Sequence, residues 1–140
     1  MGSSPDDFIT VAKDLAKNNS EIYQRCAASR AYYAIYHMCL NLAEEHAFPE
    51  PRYCIKIDDS GKEQTYSPST HENLILRFEE YNGEKLNVIR TQGISYILRQ
   101  VRTIRSEADY ELGDEFGDTK ASQVLTSYIS LKDKIRDLPS

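Results

Sequence analysis

An all-α bundle of about five helices, with a small β-hairpin inserted between the second and third, is the fold this sequence predicts. Two long segments, residues 21–46 and 94–112, carry apolar side chains at helical spacing. Start and stop signals separate the apolar runs: Ser4-Pro5, Ser20-Glu21, Ser69-Thr70 and Asp118 as starts, "NNS" and Asn82-Gly83 as stops. One stretch alone, Tyr53 to Asp58, alternates in the manner of a strand.

The first helix opens on Ser4 as cap, Pro5 at the first helical position and Asp6 and Asp7 against the positive end of the helix dipole. Phe8, Val11, Ala12 and Leu15 form its apolar face. The second runs to about His46 and is apolar almost all round. Ser29, Tyr33, Tyr36 and Leu40 lie on one side, Ala31, Ile35 and Leu42 on another, so a central position with several neighbours is expected. Prolines at 49, 51 and 68 then break the helical pattern over residues 47–68. Within that insertion, residues 53–67 read as a hairpin turning at Asp59-Ser60-Gly61, with a structureless loop as the alternative. Ser69 or Thr70 caps a third helix through about Tyr81, where Ile75, Leu76 and Phe78 are apolar. A fourth follows from about Glu84 to Leu112, bent or divided at Gly93. Asp118 caps the last, whose apolar side holds Val124, Leu125, Tyr128, Ile129 and Leu131 and which ends before Pro139.

A chain of 140 residues, 40% hydrophobic, is enough for one core, so a single domain over residues 1–140 is expected. With 17 basic and 22 acidic residues the net charge is -5, and no global positive field draws in nucleic acid; any RNA contact must be local. The start of the chain has neither a basic segment nor an apolar run, and no stretch is long and apolar enough to span a bilayer. A soluble, cytoplasmic protein is the expectation. Cys26, Cys39 and Cys54 are odd in number and lack C-x-x-C spacing, and His37, His46 and His71 lack metal-ligand spacing. Neither a disulfide framework nor a metal centre nor any other cofactor is expected.

One residue breaks the pattern. At about 100° per residue, Ile94, Ile97, Leu98, Val101, Ile104, Ala108 and Leu112 form a continuous stripe, and Arg105 falls inside it. Arg102 and Asp109 lie at one margin, with Ser106 and Tyr110 further round. A charge in that place needs a partner or an interface. One reading pairs Arg105 with Asp109, one turn on. The other holds the arginine fork in a cleft for phosphate, with Arg99 and Arg102 adding local positive charge. The second helix has a comparable polar line, Cys26, Arg30, Ala34, His37 and Asn41. There His37 is read either as a satisfied histidine in a tyrosine-rich core or as a proton-transfer group.

Three segments, "SRAYYAIYH" at 29–37, "STHENLILRF" at 69–78 and "LRQVRTIRSEADY" at 98–110, together resemble the HEPN domain family in order and spacing, over about residues 5–135. The resemblance implies a helical bundle that forms a homodimer. In many members it implies a metal-independent endoribonuclease of a toxin–antitoxin or phage-defence system. Those nucleases carry an arginine, a polar residue, and a histidine four to six positions on. Here Arg105 matches the arginine, Ser106 the polar neighbour, and Tyr110 stands where the histidine is expected. Tyrosine, with an ordinary pKa of about 10, is a poor base near neutral pH.

The expected function is therefore a HEPN-like effector or accessory protein acting on RNA or a nucleotide. Arg105, Tyr110 and His37 are the candidate catalytic residues, and Arg30, Arg102, Ser106 and Asp109 the candidate substrate-binding ones. A nucleotidyltransferase antitoxin or another defence-system protein is a candidate partner. The alternative is a non-catalytic module for dimerisation and for binding a partner or nucleotide.

Overall fold

The computed structural model describes residues 2–49, 54–66, 68–83, 86–136 and 138. Among them are five helices, α1 Pro5–Ala16, α2 Glu21–Glu45, α3 Thr70–Glu79, α4 Val88–Tyr110 and α5 Asp118–Arg136. One antiparallel hairpin, β1 Cys54–Ile57 with β2 Glu63–Tyr66, stands between α2 and α3 as expected. Tyr53 and Ser67, at the ends of the expected hairpin, lie outside the described residues, as do Glu84 and Pro139.

Helix α2 is the axis of the bundle and packs against α1, α3, α4 and α5. Its alanines at 27, 28, 31, 34 and 43 are wholly buried, and their small side chains let several neighbours approach one helix. Tyr32, Ile35, Cys39 and Leu42 fill the spaces between. Burial pushes the Cys39 thiol up to about 12, so it behaves as a small apolar side chain; Cys26 is exposed on the same helix. On α4 the stripe is largely realised: Ile94, Leu98, Val101, Ile104 and Ala108 are buried, and Ile97 is half-buried.

Some expected faces differ. Leu112 is exposed because α4 ends at Tyr110, two residues before it. Val11 on α1 and Ile129 on α5 also point outward, since Ile9 and Ala12, and Leu131 with Tyr128, supply the buried sides. Helix α4 is continuous through Gly93, and it starts at Val88 on the cap Asn87, whose Oδ1 accepts from the Arg90 amide at 3.2 Å. Of the expected caps, Ser4 donates its amide to Asp7 Oδ2 at 2.8 Å, and Ser69 Oγ accepts from the Glu72 amide at 3.2 Å. Asp118 is the first residue of α5 itself.

The hairpin is held by its own turn. Asp58 Oδ1 accepts from the amides of Ser60 and Lys62 at 2.9 and 3.0 Å, and Gly61 takes the left-handed φ of 83° that closes the turn. Among the described residues neither strand packs against a helix; the Tyr66 hydroxyl donates to Glu72 Oε1 at 3.0 Å across the gap.

Candidate functional site

Three arginines sit wholly or mostly inside the bundle, and their partners separate them. Arg25, on α2, donates from Nη1 to the carbonyls of Glu107 and Ala108 at 2.8 and 3.0 Å, and from Nη2 to those of Glu111 and Asp114. It thereby adds donors to the carbonyls around the end of α4, two of which, Glu107 and Glu111, also take backbone amides, with Glu21 as its counter-charge at 2.8 Å. Arg77, on α3, donates to the carbonyl of Phe48 from Nε and Nη2 at 3.2 and 2.9 Å, just beyond the end of α2. Both arginines serve the backbone.

Arg105 engages side chains. Its Nε lies 2.8 Å from Asp109 Oδ2, one turn along α4, and its Nη2 donates to the Tyr33 hydroxyl at 3.3 Å. The Nε hydrogen is not directed at an acceptor, so Asp109 acts on it as a charge more than as a hydrogen-bond partner. The guanidinium carbon is 5.9 Å from the Tyr32 ring centre, 5.8 Å from Tyr33 and 5.4 Å from Tyr110, so aromatic faces surround the cation on three sides. Burial opposes its charge, but Asp109, Tyr33 and Tyr110 outweigh that and raise its pKa above the ordinary arginine value. The side chain is 15% exposed. Nη1 makes no hydrogen bond among the described residues and is not sealed from water, which leaves one edge of the fork free for a ligand.

The expected site residues divide between this cage and two flanking hollows. Arg105, Asp109 and Tyr110 come together; Tyr110 is 71% exposed, with its ring over the arginine. On the side of α1 and α2, a hollow of about 450 Å³ is lined by Phe8, Ser29, Arg30, Tyr33, His37 and Asp109. There Ser29 Oγ donates to Asp109 Oδ2 at 3.3 Å, and Arg30 lies over the Tyr33 ring at 5.9 Å. His37 stacks on Phe8 and Tyr33 and meets Tyr36 edge-on, so it reaches Arg105 only through Tyr33. Between α3 and α4 a second hollow of about 440 Å³ holds Arg102 and Ser106, beside Ile75, Arg99 and Glu107. The expected residues are thus neighbours along one side of α4, but His37 and Ser106 open into different hollows.

Sequence reasoning missed His71. Its Nδ1 is 2.6 Å from the Tyr32 hydroxyl, and its ring lies 5.0 Å from that of Tyr36. Burial, then the nearby charges of Arg105 and Arg102, lower its pKa below the ordinary histidine value, so the ring is neutral at pH 7. The signal was present in "STH": a cap at Ser69 places residue 71 in the first turn of α3.

Chemically, the cage can hold an anion against a fixed cation, which a planar guanidinium does well for phosphate oxygens. Among the described residues the bases near Arg105 are engaged: Asp109 holds its charge and takes the Ser29 hydroxyl, and His71 Nδ1 is occupied by Tyr32, while Tyr110 is a phenol. Comparison with protein-family models, with curated proteins and with solved structures finds no match for this chain.

Proposed function

We propose that this chain is a HEPN-like module that binds the phosphate of RNA or of a nucleotide through Arg105 and cleaves RNA weakly or not at all. The observation that carries this reading is an arginine half enclosed by tyrosines, charge-balanced by Asp109 and with Nη1 left free. Arg25 and Arg77, by contrast, donate to backbone carbonyls and pair with Glu21 and Glu44. The same residues separate binding from catalysis. Arg105 can stabilise negative charge on a phosphate, but Tyr110 puts a phenol where the resemblance expects the proton-transferring histidine.

Fluorescence anisotropy with a labelled single-stranded RNA tests the binding. Arg105→Ala is expected to weaken it tenfold or more while the far-ultraviolet circular dichroism stays that of the wild type. Arg105→Lys should recover only part, because it keeps the charge and loses the fork. Unchanged affinity in Arg105→Ala would sink the reading.

The resemblance extends the proposal to a homodimer in a toxin–antitoxin or phage-defence system, where a nucleotidyltransferase antitoxin or another defence protein is the partner. A second reading, a non-catalytic partner-binding module, is favoured by the exposure of Tyr110 and Leu112 beside the cage, 71% and 67%. No helix among the described residues is long and apolar enough to cross a membrane.

A further inference from the structure

Tyr32 is buried, and its hydroxyl has no partner among the described residues other than His71 Nδ1. Burial raises its pKa, so the hydroxyl keeps its proton and donates it to that nitrogen. A neutral imidazole that accepts at Nδ1 carries its own hydrogen on Nε2. Nε2 makes no hydrogen bond among the described residues and is not sealed from water, so the ring offers an N–H to solvent.

Beside it stands Arg102, half-buried, with Nη2 3.4 Å from Ser69 Oγ. Its neighbours are paired: Arg99 with Glu79, Arg105 with Asp109, and Glu107 with Lys120. No carboxylate pairs with Arg102 among the described residues. The groups facing His71 are Tyr32 and Tyr36 from α2 and Arg102 and Arg105 from α4, while Glu72 on its own helix receives the Tyr66 hydroxyl. The corner is positive on balance, and the start of α3 adds the positive end of its dipole.

We propose that His71 and Arg102, where the start of α3 meets α4, form a phosphate-binding subsite for an RNA strand or a nucleotide, with Tyr32 fixing the tautomer that presents His71 Nε2–H to a phosphate oxygen. The proposal deepens the reading of Arg105 as a phosphate ligand and rests on it. A guanidinium and a fixed neutral donor grip the anion from two sides. Because a bound anion favours the imidazolium, binding raises the His71 pKa, and affinity increases as pH falls through its value in the complex.

Imidazole NMR of His37, His46 and His71, with a short oligouridylate and with ATP as separate probes, tests this. In the free protein His71 should show the Nε2–H tautomer, and Tyr32→Phe should lose that preference. Whichever probe raises the His71 pKa while leaving His37 unmoved names the source of the phosphate. By anisotropy, Arg102→Ala and His71→Ala should each weaken binding about tenfold. His71→Gln should recover most of the loss, since its amide N–H stands near the place of Nε2–H, and should remove the pH dependence. Arg105-dependent binding that leaves the His71 resonances unmoved, with Arg102→Ala and His71→Ala at wild-type affinity, would overturn the subsite and leave the Arg105 reading intact. An Nδ1–H tautomer in the free protein would also overturn it. Failure of both probes to bind the wild type would overturn the subsite together with the reading beneath it.

Discussion

Replacing Arg25 by alanine removes a donor from four carbonyls around the end of α4, those of Glu107, Ala108, Glu111 and Asp114, of which Glu107 and Glu111 keep the amides of Glu111 and Asp114. Losing these charge-assisted bonds, with the buried Ala108 carbonyl left without its donor, is expected to cost roughly 3 kcal/mol in urea unfolding. Arg105→Ala removes a one-turn pair whose aspartate keeps the Ser29 hydroxyl and contact with water, so its cost should stay below roughly 1 kcal/mol. Equal losses in the two variants would make Arg105 a structural arginine as well. His71 adds a pH signature. Its folded pKa is depressed, so the unfolded chain binds the extra proton, and stability should fall as pH drops below about 6.5. A thermal midpoint that is flat from pH 7 to 5, or one that falls equally in His71→Gln, would contradict that. The Arg105–Asp109 pair was legible because both residues share a helix and its period. Arg25 and Arg77 were not, because their partners are backbone carbonyls at distant helix ends, and apolar periodicity carries no record of which ends meet.

The hairpin depends on Asp58. Hydrogen bonds from Ser60, Lys62 and Gln64 hold its carboxyl down to about 2. A carboxylate with a lowered pKa contributes its order above the unfolded value near 4, and loses it as pH falls through about 2. The Ser60 and Lys62 amide resonances should follow that titration. Asp58→Ala should disorder residues 54–66 while the helical melt stays unchanged, because the strands pack on no helix among the described residues; a lowered helical melting point would show the hairpin to be part of the bundle. Helix α4 illustrates a different limit of the sequence. Asn87, whose amide donates to the Leu138 carbonyl at 3.3 Å, is tied to the chain after α5, and Leu86 beside it is buried with its amide on the Tyr81 hydroxyl. That long-range tie places the cap at Asn87, where local propensity puts the start near Glu84. At Gly93 the helical ladder absorbs the glycine, and a Cβ there would meet nothing within 4 Å. Gly93→Ala is therefore expected to stabilise the fold by roughly 0.5–1 kcal/mol in urea, and destabilisation would mean that the open face is covered in solution.

Across the whole molecule, α2 spends its apolar surface inside the chain beyond its first turn, where Ile22 and Tyr23 stay exposed, and this answers why it reads as apolar all round. Among the described residues, the large apolar side chains more than 60% exposed are Ile57 on the hairpin and Ile89, Tyr96, Tyr110 and Leu112 on α4 and just past its end. A dimer that covers Tyr110 and Leu112 would set the Arg105 cage beside its seam, and light scattering at micromolar concentration should give twice the mass of the chain; a monomeric mass would remove the shared cleft. With a net charge of -5, the phosphate capture proposed for Arg105 is a local matter, so RNA affinity should fall as salt rises, with the shallow slope of a few contacts. The fold was legible because helical period and caps are local signals that long-range packing here reinforces, whereas the cage is assembled from α2 and α4 and exists only once they meet. The chemistry proposed for it, a guanidinium that holds a phosphate with no histidine beside it to move a proton, is tested most directly by incubating labelled RNA in EDTA with the wild type, Tyr110→His and Arg105→Ala. The wild type should bind with little or no cleavage, Tyr110→His should gain cleavage that rises through a pKa near 6.5, and Arg105→Ala should do neither. Robust, arginine-dependent cleavage by the wild type, unimproved in Tyr110→His, would contradict it.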